Sequence, residues 1–278
     1  MQRRQFIRVV GGGVIAAAAV PMAACSKALP PEAIAAWSGP GAEPDLRRWV
    51  LGYAILAPHS HNLQSWVADL GEPGEILLRC DLNRLLPETD PYSRQIMMSH
   101  GTFLELLDMA ARERGHRAEI TLFPEGAFGA QQLDSRPVAR VRLVPDATAS
   151  RDPLFAQVLQ RHTNRSAYDA ARPVPAAAWQ AMAAAVQPYP VRFGFAGPEQ
   201  PEALAQQRAV AAEAWRIELV TPRTIMESYK VLRVGADEVA RHRDGLTLMD
   251  PMVVLMNRVG LLDRSRPPGA EDFATTSQ

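Results

Sequence analysis

Cysteine is nearly absent from this chain of 278 residues: Cys25 and Cys80 are the only two. That excludes a disulfide-dense fold and any multi-cysteine metal or iron–sulfur site. Cys25 falls in a targeting segment, so Cys80 stands alone in the body and an intramolecular disulfide is not expected. Lysine is as scarce, with Lys27 and Lys230 alone, so nearly all positive charge is arginine, the residue suited to bidentate anion contacts. Net charge is missing too: 30 Lys and Arg balance 30 Asp and Glu, and the N-terminal Arg3, Arg4 and Arg8 leave the rest mildly acidic. No global positive field exists to recruit nucleic acid, and none is expected as a partner. Gly-x-Gly-x-x-Gly, a lysine phosphate loop and a Gly-x-Ser-x-Gly elbow are all absent outright. Dinucleotide, P-loop and hydrolase-elbow readings fall with them. What remains is an ordinary globular composition, 47% hydrophobic and 22% charged, for one large domain or two small ones.

The first 25 residues read as an address. Gln2-Arg3-Arg4-Gln5-Phe6-Ile7-Arg8 precedes a small-residue apolar run from Val9 to Ala24. A basic stretch before a moderately apolar one is the layout of a secretory signal. The paired arginines followed by Phe6 and Ile7 resemble the twin-arginine signal, which hands folded cargo to its export machinery. The apolar run is about 16 residues, short of the roughly 20 that span a bilayer. Met22-Ala23-Ala24-Cys25 looks like a lipobox, making Cys25 a lipidation candidate and a membrane tether; cleavage at an Ala-x-Ala-like site is the alternative. A periplasmic or lipid-anchored location follows from either. Residues 26–44, rich in Ala, Pro and Gly, read as a tether or a short packing arm.

From Asp45 the pattern is α+β, with helices around a mostly antiparallel sheet. Apolar spacing predicts helices over Asp45–Leu56, Arg94–Arg114, Pro153–Gln160, Pro175–Val186, Glu199–Leu219 and Thr221–Leu232. Trp66–Leu70 and Glu75–Cys80 flank Gly71-Glu72-Pro73-Gly74 as a hairpin, and Glu119–Phe123 pairs with Val138–Val144. Val191–Ala196 reads as a further strand. Asp81–Pro91 is a loop.

Several residues carry possible chemistry. His59-x-His61 has a metal-like spacing, yet no further His, Cys or acidic cluster joins it, so no metal site is expected. Met97, Met98 and Phe103 fit a core stripe better than a cofactor lining. Asp81, Glu88 and Asp90 fit solvated loop carboxylates better than an acidic site. Arg161-His162-Thr163-Asn164-Arg165 is the more informative cluster. Two arginines four apart, with a hydroxyl between, suit a phosphate through charge-assisted, bidentate bonds; a solvated basic turn is the other reading.

Leu56-Ala-Pro-His-Ser-His-Asn-Leu-Gln-Ser-Trp66 resembles the Ala-Pro-Ser-x-x-Asn-x-Gln-Pro-Trp signature of the nitroreductase family, an FMN-dependent α+β fold. Ser60, Asn62, Gln64 and Trp66 match, while His59 and Ser65 depart from the commonest residues. Arg161-x-Thr163-x-Arg165 is similar to that family's Arg-x-Ser-x-Arg element, which holds the flavin phosphate. The two elements stand in the reverse of the usual order. With Asp81-Leu-Asn-Arg-Leu-Leu-Pro87 and Asp90-Pro-Tyr-Ser-Arg94, that order resembles a duplicated single-chain branch whose two halves form an intrachain pseudo-dimer.

The resemblance implies a first half over 45–160 and an incomplete second half over 161–278. It also implies an FMN site built from His59, Ser60, Asn62 and Gln64 of the first half and Arg161, Thr163 and Arg165 of the second. The implied function is an exported flavoprotein that reduces a small molecule of the nitro or quinone type. The alternatives are a flavin-sequestering or degenerate envelope protein without turnover, and an interaction protein that uses the scaffold without cofactor. Catalytic residues and electron donor are not indicated.

Overall fold

The computed structural model describes residues 28–129, 132–164, 167–169 and 171–268. The twin-arginine segment, Cys25 and Arg165 lie outside the described residues. The expected helices follow from their caps and apolar spacing. Helix α2, Leu46–Ala54, starts where the Asp45 carboxylate accepts the Arg47 N–H at 2.8 Å, and it buries Trp49, Val50 and Ala54. Helix α3, Arg94–Glu113, runs 20 residues and turns Ile96, His100, Phe103, Leu107 and Ala110 inward, one per helical turn. The Asp90 carboxylate accepts the Arg94 and Ile96 N–H groups at 2.9 and 3.0 Å, so this loop acid caps a helix. Gly115, at φ 65°, takes the left-handed turn that ends α3.

Four strands form one antiparallel sheet in the order β1-β2-β4-β3: β1 Trp66–Asp69, β2 Glu75–Cys80, β3 His116–Leu122 and β4 Ala139–Pro145. Strict alternation along β2 sends Ile76, Leu78 and Cys80 to one face, where Ala139 and Val141 of β4 join them. Helices α2 and α3 cover that face, and the main core lies between. Each fully buried Ile, Leu or Phe there contributes about 1.5–3 kcal/mol. A second unit follows α6, Pro222–Lys230: strand β5 Leu232–Val234, helix α7 Gly235–His242, strand β6 Leu246–Leu248 parallel to β5, then helix α8 Pro251–Arg258.

The arm ahead of α2 packs against the body. Helix α1, Pro31–Ile34, and a 3-10 turn over Ala35–Ser38 bring Trp37 against Leu56, Val158 and Met109.

Four expectations need correction, the first being Asp90, expected as a solvated loop carboxylate but buried as the cap of α3. Pro153–Gln160 is a 3-10 turn over Pro153–Gln157 and no full helix. Val191–Ala196 forms no strand and pairs with no segment among the described residues; Phe195 stacks on Trp179 of helix α4, Ala176–Val186, at 4.5 Å between ring centres. Met98 is 65% exposed and does not join the core stripe that holds Phe103. Helix α5, Pro201–Val220, was expected and is present, but it buries no residue.

Candidate functional site

The turn between α2 and β1 is held in unusual backbone. His61, Asn62 and Gln64 all have φ near +50°. Each non-glycine residue there costs about 1–2 kcal/mol, so something must enforce it. The enforcement is visible on three sides. From α3, Ser99 Oγ accepts the Ser60 N–H at 3.1 Å and Thr102 Oγ1 donates to Pro58 O at 3.0 Å. From the sheet, the Asp81 N–H donates to Ser65 O at 2.8 Å. From the loop after α7, the Gly245 N–H donates to Asn62 O at 3.1 Å.

His59 is fastened within this turn. The Ser65 N–H donates to its Nε2 at 3.2 Å, which leaves Nδ1–H to donate to Ser60 O at 2.8 Å. Ser65 Oγ lies 2.7 Å from Nε2 and is itself fully buried. Burial, foremost, pushes the His59 pKa down to about 4, so the ring is neutral at ordinary pH. His100, fully buried behind it, donates Nδ1–H to Ile96 O at 2.9 Å, and its Nε2 completes no hydrogen bond. Burial pushes the Cys80 thiol up to about 11, so this cysteine is no nucleophile.

Across from the turn the chain returns more than a hundred residues later. Arg161 donates from Nη2 to Leu56 O at 2.8 Å and lies 5.5 Å over the Trp37 ring. Its Nε is buried without a hydrogen bond, and no carboxylate pairs with it among the described residues. Burial lowers its pKa, the direction expected of a cation short of counter-charge.

These segments line a half-open cavity of about 700 Å³. His59, Asn62, Gln64, Arg161 and Thr163 all line it. Ser60 does not; its Oγ turns to Gln95 Oε1 at 3.3 Å, toward α3. Asn62 and Gln64 are also partly committed. Gln64 Nε2 donates to Arg243 O at 2.8 Å and Asn62 Nδ2 to Gly245 O at 3.4 Å. Among the described residues this leaves one N–H of Asn62 and the Oε1 of Gln64 for a ligand.

The sequence reading missed the wall made by Arg84 and by His242–Gly245. Asp244 is its keystone: one carboxylate oxygen meets Arg84 at 2.9 Å and the other meets Arg233 at 2.9 Å. Arg84 also donates to Leu63 O at 2.9 Å, tying the 60s turn to the second unit. The available signal was Gly245, a helix-stop residue just after a basic last turn. Among the described residues no group of three His, Cys, Asp or Glu side chains is disposed to hold a metal ion.

No family model matches the chain. A segment of 119 residues is 32% identical to an uncharacterised protein of Mycobacterium tuberculosis, found in two strains; it covers 42% of this chain and 33% of that protein. The match thus spans about a third of the length of these curated relatives.

Proposed function

We propose that this cavity is an FMN site in a nitroreductase-like fold arranged as an intrachain pseudo-dimer, in a protein exported by the twin-arginine route and tethered or released at Cys25. One observation carries the reading: Arg161, without a carboxylate partner among the described residues and with an unbonded Nε, lines a half-open cleft with the Thr163 hydroxyl and a strained amide turn. An anion with several acceptor oxygens answers that shortage, and a phosphate monoester is such an anion. The cavity volume of about 700 Å³ falls in the range of ligand sites for molecules of nucleotide size.

In this reading Arg161 and Thr163 hold the phosphate by charge and hydrogen bonds, with Arg165 as a further arginine of the same element. Asn62 N–H and Gln64 Oε1 form a donor–acceptor pair that suits ribityl hydroxyls or the polar edge of the ring. His59 is neutral and spoken for, so it positions the turn and moves no proton. When bound, the isoalloxazine supplies the electron-carrying chemistry, toward small nitro or quinone-type acceptors.

The arm over Glu32–Trp37 walls one side of the cavity. That observation favours a second reading, sequestration of the flavin without turnover. The test is purification of the full chain. A yellow protein with flavin absorbance supports the site, and a colourless one that ignores added FMN removes it. Arg161→Gln should weaken FMN binding about 10- to 100-fold, the worth of a lost charged hydrogen bond. Steady-state assay with a nitro substrate and a reductant then separates turnover from sequestration.

A further inference from the structure

The arm ahead of α2 is seated at both of its ends. Pro30 is buried at its start. At its far end the 3-10 turn over Ala35–Ser38 closes on Gly39, whose N–H donates to Ala36 O at 3.0 Å and whose φ of 74° suits glycine. The Gly39 backbone lies against Leu159, two residues before Arg161; a Cβ there would stand 3.4 Å from that side chain. Pro40 then packs on α2 at Gly52, where an added Cβ would stand 2.6 Å from the proline Cβ. Glycine inside a helix is unfavourable, and here it makes the room that receives the arm. Between the two seats, Trp37 packs on Leu56, Met109 and Val158.

Trp37 also meets Arg161. The guanidinium carbon lies 5.5 Å from the Trp37 ring centre, within cation–π range, and the His162 ring stands at right angles to the same indole at 6.3 Å. Little else holds the guanidinium. Among the described residues its one hydrogen bond runs from Nη2 to Leu56 O at 2.8 Å, and its Nε is buried and unbonded. A single bond leaves the planar group free to swivel, and an aromatic face removes that freedom. An arginine held in advance binds an anion more tightly, because less side-chain freedom is lost on binding. We infer that Trp37 is a positioning residue for Arg161, so that the arm completes the anion-binding end of the cavity and does more than wall it. This rests on the reading of Arg161 as the phosphate end, and it adds the residue that makes that end prefer a phosphorylated flavin to an unphosphorylated one.

The test titrates the full chain with FMN and with riboflavin, which lacks the phosphate, and follows flavin fluorescence. Trp37→Leu, which keeps an apolar side chain against Leu56, Val158 and Met109, should weaken FMN roughly fivefold and riboflavin far less. Trp37→Tyr, which keeps an aromatic face, should restore most of the FMN affinity. Unchanged FMN affinity in Trp37→Leu overturns the inference. So does a loss shared equally by riboflavin, which would make Trp37 a wall alone, or a loss in Trp37→Tyr as large as in Trp37→Leu. Inorganic phosphate gives a readout that needs no flavin. The Arg161 Nε–H resonance, assigned by its absence from Arg161→Gln, should respond to phosphate at lower concentration in the parent than in Trp37→Leu; equal responses overturn the inference. A parent that takes phosphate in this way but ignores both flavins removes the flavin reading and keeps the role of Trp37. A parent that ignores phosphate and FMN alike overturns both.

Discussion

At the scale of single residues, the informative ones are those whose bonding does not balance. His59 balances: each ring nitrogen has its partner, and the neutral form is the one the fold holds. Its pKa drops from 6.5 to about 4 on folding, so the unfolded chain takes up the proton first as pH falls. The stability from keeping this ring neutral is complete above pH 6.5, declines through the window, and is gone below about 4. His100 is shifted the same way by burial and adds to the slope. Urea unfolding at pH 7 and at pH 5 should therefore show a loss at the lower pH, of about 2 kcal/mol allowing for partial exposure. His59→Gln should flatten that dependence. Arg161 does not balance, and that imbalance was legible in advance only as an arginine pair with a hydroxyl between. The sequence pattern named a turn and an arginine that line one cavity. It did not tell which side chains of the turn remain available, because Gln64 and Asn62 are engaged by carbonyls about 180 positions away, at Arg243 and Gly245.

At the scale of elements, the first unit was readable and the second was not. Alternation along β2 and the seven-residue spacing of α3 exceed any competing pattern, so hairpin, helix and caps were all placed within a few residues. Strands β5 and β6 are three residues each and pair in parallel across an eight-residue helix, too short for periodicity to register. Val191–Ala196 failed in the opposite sense. Val191, Phe193 and Phe195 alternate as a strand would, but alternation specifies a face and not a partner. The second unit is docked by few contacts, of which Asp244 is central. Asp244→Ala would leave Arg233 without a carboxylate and Arg84 with Asp81 alone, and should cost about 2 kcal/mol by thermal or urea unfolding. Gly245→Ala forces a backbone clash at a left-handed position, and it should destabilise by at least as much. In both variants the 60s turn loses a restraint, so ligand binding in the cavity should weaken together with stability.

At the scale of the whole molecule, burial is uneven. The sheet, α2 and α3 hold most of the fully buried side chains, whereas α5 exposes Val210, Trp215 and Ile217 at 63%, 61% and 51%. Hydrogen exchange should accordingly be slowest in β2, β4 and α3 and fastest across α4 and α5. Trp215→Ser with Ile217→Thr should shift stability by less than about 0.5 kcal/mol, since no core contact is lost. The same double variant should bind less of an apolar fluorescent dye.

The cavity wall is assembled from stretches that the chain keeps far apart: Leu56 meets Arg161 across 105 positions, and Asn62 meets Gly245 across 183. No local segment can form such a pocket early, because closing loops of that length comes after nearby contacts have condensed. Whatever occupies it acts as a clasp on the finished topology. Saturating occupancy should stabilise the entire body by RT ln(1 + [L]/Kd), and so raise its melting temperature as one cooperative transition rather than stiffening a single loop.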